Sequence, residues 1–354
     1  LPGIYEYPVY FFKKKIRMEK PKFEDVYDFQ NLFNAYKTGI TNIATYKRYR
    51  KHVTDFTVNL EENLIELQND LIWRTYKLGD FFTFCVFEPK KREIAALPFR
   101  DRVVQIALCN VIEPYIDARF INESFACRKG KGTMHAARRA AYYIHKPENT
   151  KFIKGDIHKF FYSVDLNILM QIIRRYIDDE GILWLIEKII RKDNPEKGIK
   201  IGNRLSQLAA NIYLHELDFY VKQQLHIKYY VRYMDDFLIF SGNKHKLRVY
   251  LEQIETFLHE TLHLDLNEKT CISSCKNGVD FVGFRIFPNY MIVKKKSLIR
   301  TKNILRRWKS GKISDEAFAA SIGSRCGHCT GSVSYKFYND ILLQALFHAL
   351  KREK

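Results

Sequence analysis

Two adjacent aspartates, Asp235 and Asp236, interrupt the aromatic and β-branched run "YYVRYMDDFLIF" (229–240), and a third, Asp156, follows the apolar start of "FIKGDIHKFF". Read as a hairpin, the first run places Tyr229 to Tyr233 on one strand and Phe237 to Phe240 on the other, with Met234, Asp235 and Asp236 in the turn. Two carboxylates ~4 Å apart repel by roughly 4 kcal/mol at an effective dielectric near 20. Such a pair persists if a cation neutralises it or if one acid stays protonated. Hard oxygen donors favour magnesium or manganese. Two such ions ~3.5–4 Å apart can activate an attacking hydroxyl and neutralise a leaving phosphate. Aspartate is also ordinary in polar turns. Metal chemistry gains the advantage from Asp156, which the same sheet edge would carry, and from the charge of the chain.

That charge is large. Lys and Arg number 59 against 40 Asp and Glu, a formal +19 over 354 residues, which suits a polyanionic partner such as nucleic acid. At 46% hydrophobic and 14% aromatic, the chain can form two or three ordinary structural units and is not a disordered polymer. The stretch "LPGIYEYPVYFFKKKIRMEK" has aromatics before lysines, the wrong order for a secretion signal. No apolar run approaches the ~18 residues needed to span a bilayer, so no membrane association is expected. Seven scattered cysteines fit free thiols in a reducing cytoplasm. Cys271 with Cys275 and Cys326 with Cys329 could make a four-thiolate zinc site, but the spacing of the first pair and the long gap between pairs are poor signals for one.

Apolar spacing predicts helix across residues 22–78, then strand texture in "FFTFCVFEPKKREIAALPF", broken at Pro89. Residues 101–118 return to helix, expected to stop near Pro114, and Thr133 is the expected N-cap of "MHAARRAAYYIHK". A strand should end close to Asp156, with two helices filling 165–192. "KGIKIGNRLS" reads as a turn, and Leu205 to Leu225 as an amphipathic helix. A helix over about 244–263, the strand-rich "LDLNEKTCISSCKNGVDFVGFRIF" and a basic helical segment from Lys294 complete an α+β architecture with helices at both ends.

"YMDD" between apolar strands resembles the catalytic hairpin of reverse transcriptases, and further segments follow in that family's order. They are "LPFRDRVVQIAL" (97–108), "SFACRKGKGT" (124–133), "KGDIHKFFYSVD" (154–165), "IGNRLSQLAANIYL" (201–214), "LNEKT" (266–270) and "VDFVGFRI" (279–286). The resemblance implies a right-hand polymerase. Its parts would be an N-terminal helical extension (1–78), fingers (79–150 and 166–204), a palm of antiparallel sheet backed by helices (151–165 and 205–290) and a basic helical thumb (291–354). It also implies two Mg2+ or Mn2+ ions held by Asp156, Asp235 and Asp236 with the backbone at Ile157, and template RNA, a primer and dNTPs as partners. The backbone at Ile157, Lys159 and Phe160 would face the triphosphate. Phe161 matches an aromatic that crowds the sugar 2′ carbon, although a core phenylalanine is the plainer use of that residue. Lys90 and Arg92 match basic residues that close over the phosphates, the match at Arg92 being loose by one residue. Lys269 matches a lysine that protonates the leaving pyrophosphate. Taken singly, these three cations also suit a hydrated surface. Nucleic-acid contacts would fall to Arg128, Lys129, Lys131, Phe281, Gly283, Lys294, Lys295, Lys296, Arg300 and Arg306.

One block departs from the usual pattern: Ile201 replaces a Gln and Gln207 replaces a Pro. Ile-Gly-x-x-x-Ser-Gln resembles the reverse transcriptases of diversity-generating retroelements. That resemblance implies copying of a template-repeat RNA with errors mainly opposite adenine, and a small, basic, pentameric accessory protein as partner. Ile201 offers the incoming sugar region only apolar surface. Losing a hydrogen bond that correct pairs use best would narrow the gap between right and wrong nucleotides, about 1.4 kcal/mol per factor of ten. A buried strand isoleucine is the plainer use. The competing readings are a retron, abortive-infection or group II intron-like reverse transcriptase and, outside enzymes, an inactive RNA-binding scaffold.

Overall fold

A computed structural model describes residues 19–41, 50–87, 91–193, 196–329 and 332–352. In chain order it contains α1 (Phe23–Tyr27), α2 (Phe29–Thr41), α3 (Arg50–Val58), α4 (Leu60–Ile72), β1 (Phe82–Phe87), β2 (Lys91–Ala96), α5 (Phe99–Asp117), α6 (Thr133–Ile144), β3 (Lys151–Asp156), α7 (Phe160–Ser163), α8 (Leu166–Arg174) and α9 (Glu180–Ile190). Then follow α10 (Arg204–Phe219), β4 (Tyr230–Tyr233), β5 (Asp236–Ser241), α11 (Lys244–Leu262), β6 (Cys271–Ser274), β7 (Val279–Phe281), β8 (Phe284–Ile286), β9 (Met291–Val293), α12 (Lys295–Lys309), α13 (Asp315–Cys329) and α14 (Tyr335–Arg352).

The chain forms two compact units, the first comprising Leu1–Phe84, Ala95–Arg119 and Ile173–Lys192. Its core draws Leu32 and Ala35 from α2, Leu64, Leu67 and Leu71 from α4, and Val103, Val104 and Ala107 from α5. Asp101 is buried there, accepting hydrogen bonds from the Tyr76 hydroxyl (2.6 Å) and the Gly79 N–H (2.9 Å). α5 runs through Pro114 where the sequence suggested a stop. Burial of Ile112, Tyr115 and Ile116 holds the last turn, and Ala118 N–H still donates to the Pro114 carbonyl (3.3 Å).

The second unit comprises Cys85–Ile94, Phe120–Ile172 and Asp193–Lys354. At its centre is an antiparallel four-stranded sheet in the order β4-β5-β3-β6. A second sheet, β7-β8-β9, packs its buried Val279, Phe281, Phe284, Ile286 and Val293 into one cluster with Phe152, Leu238 and Phe240 of the central sheet and Ala136, Ala137 and Ala140 of α6. Thr133 is the first residue of α6 and not its N-cap; Gly132 (φ 134°) caps the helix without a side-chain bond. The helix expected to reach Leu225 keeps α geometry only to Phe219 and finishes as a π turn over Tyr220–Gln224. α10 starts where the Asn203 side chain accepts from Ser206 N–H (2.6 Å), and α11 where Asn243 accepts from Lys246 N–H (3.1 Å).

Two local features fix the geometry of the central sheet. Gly155 lies opposite Phe237 in the β3–β5 register. A Cβ on Gly155 would fall well inside the fully buried Phe237 ring, so only glycine lets the strands pair here. The second feature is Arg232, which is 0% exposed on β4. Its guanidinium donates from Nε to Asp218 Oδ1 (2.7 Å) and from Nη2 to Asp218 Oδ2 (2.6 Å). It also donates to Asn211 Oδ1 (3.3 Å), Ser124 Oγ (3.1 Å) and the Met234 carbonyl (3.1 Å). Burial alone would push the Asp218 carboxyl up, but the charge and hydrogen bonds of Arg232 hold it well below the usual carboxylate range. Backbone bonds from Arg232 N–H to Glu123 O (2.9 Å) and from Phe125 N–H to Arg232 O (3.1 Å) lash residues 123–125 alongside β4.

Gly155→Ala should lower stability by about 1–3 kcal/mol through overpacking, with partial recovery in Gly155→Ala/Phe237→Leu; equal urea midpoints for wild type and the single variant would contradict this. Arg232→Met strands a buried carboxylate and should cost about 3–5 kcal/mol, most of it regained on adding Asp218→Leu. Urea titration of the two variants checks both expectations.

Candidate active site

Asp156 ends β3 and Asp236 opens β5, and the two are register partners, so their Cα atoms lie about 4.5–5.5 Å apart. Asp236 also pairs with Tyr233, which leaves only Met234 and Asp235 in the turn. The three-residue turn expected from sequence is therefore one residue too long. Met234 takes a φ of 56°, the left-handed backbone that closes a two-residue hairpin, and the loop needs no third residue. Arg232 grips the Met234 carbonyl from below, so a side chain buried in the palm sets the turn that presents Asp235.

Burial pushes the Asp235 carboxyl up to about 6, with the neighbouring charges of Asp236 and Asp156 adding to the shift and its own backbone N–H and Arg92 opposing it. Three carboxylates thus share one sheet edge, and Arg92 on β2 reaches the same field. An all-oxygen donor set crowded enough to hold a proton near pH 6 fits a hard divalent cation, which would relieve the repulsion. Asp156, Asp235 and Asp236 are the side chains that could hold it. Among the described residues no three His, Cys, Asp or Glu side chains form a metal cage on their own. Phosphoryl-transfer sites need none, because magnesium there takes one or two carboxylates and completes its shell from substrate phosphates and water.

The strand beyond Asp156 is tied to the segment carrying Lys269. Asn267 N–H donates to the Asp156 carbonyl (2.7 Å), His158 N–H to Asp265 O (2.8 Å) and Asp156 N–H to Thr270 Oγ1 (3.3 Å). Ile157 is buried and bridges Leu266. Lys269 is exposed on this turn, next to the strand that ends at Asp156. Lys159, exposed with φ 43°, is the N-cap of α7; the Phe160 ring is core, and Phe161 is half-buried with its ring edge-on to Phe160 at 5.4 Å. Ile199 N–H donates to the Phe161 carbonyl (2.8 Å), which draws the Ile201 turn toward Phe161. Ile201 is half-buried in that turn beside Gly202 (φ 118°), not in a buried strand, and Gln207 is exposed on α10.

Other expected contacts divide. Arg128 donates to the carbonyls of Ile121 (2.6 Å) and Ser124 (2.9 Å), and Lys131 Nζ to Asn122 O (2.6 Å), so both clamp their own loop while Lys129 is exposed. The Phe281 ring is core, and Val282 (φ 41°) and Gly283 (φ 92°), both half-buried, make the turn of the β7–β8 hairpin. Lys295, Lys296, Arg300 and Arg306 are exposed on α12, away from buried Thr301, Leu305 and Trp308. Lys90 lies outside the described residues, as does the Cys329 side chain; among the described residues Cys271, Cys275 and Cys326 form no disulfide. Arg232 and Asp218 escaped sequence reasoning, although a charge alternating with apolar strand residues was a signal for the first.

Residues 88–286, more than half of the chain, match the family profile described as reverse transcriptase (RNA-dependent DNA polymerase). Protein YkfC of Escherichia coli (strain K12) is 27% identical over 245 residues, covering 56% of this chain and 63% of that protein. Group II intron-encoded protein LtrA of Lactococcus lactis subsp. cremoris is 24% identical over 295 residues, covering 63% of this chain and 48% of that protein. The chain therefore spans less than two thirds of the length of these relatives. A structure of apo telomerase from Candida tropicalis, truncated from the C-terminal domain, aligns with a TM-score of 0.48 at 14% identity over 61% of this chain and 55% of that one. With the carboxylates at one sheet edge and the profile running unbroken through β3, the hairpin and β8, the chain belongs to the reverse transcriptase (RNA-dependent DNA polymerase) family.

Proposed function

We propose that this chain is an RNA-directed DNA polymerase of the group II intron-like lineage, specialised as the error-prone enzyme of a diversity-generating retroelement. The observation that carries the polymerase reading is the meeting of Asp156, Asp235 and Asp236 at one sheet edge within reach of Arg92. Divalent cations bound there would activate the primer 3′-hydroxyl and neutralise the leaving pyrophosphate. The protein's own part is positioning and electrostatics. Arg92, with Lys90, draws the triphosphate in, and Lys269 returns a proton to the pyrophosphate. Phe161 and Ile201 flank the sugar. Lys295, Lys296, Arg300 and Arg306 follow the duplex backbone through charge, with little reading of sequence.

Ile201 and Gln207 support the retroelement specialisation, in which a template-repeat RNA is copied with errors opposite adenine alongside a small, basic, pentameric accessory protein in a bacterial, archaeal or phage-infected cytoplasm. A second reading, a group II intron-like enzyme without that specialisation, is favoured by the likeness to the intron-encoded protein LtrA.

Because the Asp235 carboxyl is held up near 6 in the folded chain, the folded state binds more protons than the unfolded one between about pH 4 and 6, and stability falls as pH rises through that window. Asp235→Asn should therefore raise metal-free stability at pH 7 by about 2–3 kcal/mol and flatten the slope. The same variant should bind primer–template and fail to extend it, and magnesium should raise the Tm of the wild type more than that of the variant. Extension by Asp235→Asn would remove Asp235 from the catalytic account, and a wild type that extends no primer in magnesium would overturn the polymerase reading. For the specialisation, Ile201→Gln should cut misincorporation opposite template adenine roughly tenfold, as sequencing of cDNA from a defined RNA would register. An unchanged error spectrum would remove Ile201 from the account.

A further inference from the structure

The central sheet carries opposite charge at its two ends. The acids lie where β3 ends and β5 begins. At the far end of β3, about 17 Å from Asp156 by the rise of a strand, each of the four strands brings a lysine. Lys228 lies just before β4, Lys244 just after β5, Lys151 opens β3 and Lys276 lies just after β6. In the strand order β4-β5-β3-β6 they form a row roughly 14 Å wide, since neighbouring strands lie about 4.8 Å apart. The strand ends are tied together there. Cys275 N–H donates to Thr150 O (2.9 Å), Phe240 N–H to Tyr229 O (3.0 Å) and Lys151 Nζ to Gly242 O (3.3 Å). Lys228, Lys244 and Lys276 are exposed, and neither Lys244 nor Lys276 forms an ion pair among the described residues.

Two further observations separate this row from an ordinary hydrated edge. α11 begins beside it with Lys244 and Lys246 in its first turn, where no acid stands. Cations at a helix N-terminus oppose the macrodipole, so the helix itself gains nothing from them, whereas an anion would meet lysines and helix end with one sign. The second observation is Tyr142 on α6, which is 47% exposed with the Lys146 ammonium over its ring at 4.5 Å. Lys228 lies over the neighbouring Tyr229 ring at 5.0 Å and feels the Tyr142 hydroxyl. An aromatic face is thus open between cations at the β4 end of the row. Glu148, an acid on the same side, accepts a hydrogen bond from the Tyr229 hydroxyl.

We propose that this end of the sheet is a second RNA-binding surface, which holds single-stranded RNA outside the stretch being copied. The proposal rests on the polymerase reading for calling that RNA the template; the chemistry stands on the surface itself. Lysines in a row hold a phosphate backbone without reading sequence, and an exposed tyrosine among them gives an unpaired base a face to stack on. Duplex RNA keeps its bases stacked inside and would leave that face unused. A lipid surface would call for apolar side chains to insert, and the row presents ammonium groups. The length of β3 separates the row from the acids, so RNA held here does not compete with a primer end for them. A template bound at both places is retained while its copied stretch moves on.

The test uses the full chain and two RNA templates annealed to one DNA primer, the first with only the overhang to be copied, the second with long unpaired flanks as well. Wild-type protein should bind the flanked template roughly tenfold more tightly than the short one. Lys228→Gln/Lys244→Gln/Lys246→Gln/Lys276→Gln should bind and extend the short template as the wild type does and lose most of that tenfold gain. Its slope of log Kd against log salt on the flanked template should fall by about two to three. Arginine at the same four positions should restore both. In the wild type, the flanked template should protect these lysines from acetylation and the short one should not, and this measurement decides the matter even if the variant is unstable. Equal losses on both templates, equal protection by both, or protection by phosphatidylglycerol vesicles and not by flanked RNA would overturn the surface. Protection that survives pairing of the flanks with complementary RNA would overturn the single-stranded assignment. Protection by flanked RNA in a wild type that extends no primer would overturn the polymerase reading and leave the RNA surface standing.

Discussion

The palm is organised around one buried ion pair. Arg232 and Asp218 are both 0% exposed, and each would be a liability alone, since an unpaired charge in a protein interior costs several kcal/mol. Together they join α10, β4 and the segment at Ser124, and the guanidinium's remaining donors reach the Met234 carbonyl in the turn. An apolar pair of the same volume could fill the space. It could not hold a backbone carbonyl at a fixed angle under a turn whose φ of 56° at a non-glycine residue is itself strained. Stability alone does not account for such a pair; its geometry does.

The site above it is built in the reverse sense, from groups that repel. Asp235 is held partly out of water beside two further carboxylates, and the metal-free protein carries that strain in the raised Asp235 carboxyl. A surface free of functional demands would place those acids apart or replace one with an amide. The fold keeps them at a sheet edge where β3 and β5 are paired residue by residue from Lys151 opposite Ser241 to Asp156 opposite Asp236. The rigid ladder supplies the force that loop residues could not.

Much of this was legible in the sequence. The α+β class, the strand ending at Asp156, the hairpin and α11 followed from apolar periodicity, and the right-hand polymerase fold from the resemblance of the ordered motifs to reverse transcriptases. What was not legible depended on how the chain closes on itself in three dimensions. Arg128 and Lys131 were expected to contact nucleic acid; that they also bind carbonyls of their own loop follows from a loop shape the sequence does not state. Phe281 was expected among the nucleic-acid contacts, yet alternation along β7 turns its ring into the core. Pro114 and Thr133 followed local rules that tertiary burial and a glycine cap overrode.

The glycine before Asp156 has a consequence for how this palm can change over time. Gly155 meets the Phe237 ring at a point where the ladder has no slack, and side chains alternate faces at every step. A residue gained or lost anywhere between Lys151 and Asp156, or between Asp236 and Ser241, would therefore turn an acid toward the core and a phenylalanine toward the cleft. Lineages descended from such a palm are free to drift in side-chain identity over most of its surface and to lengthen their outer loops, while the spacing within these two short strands stays frozen.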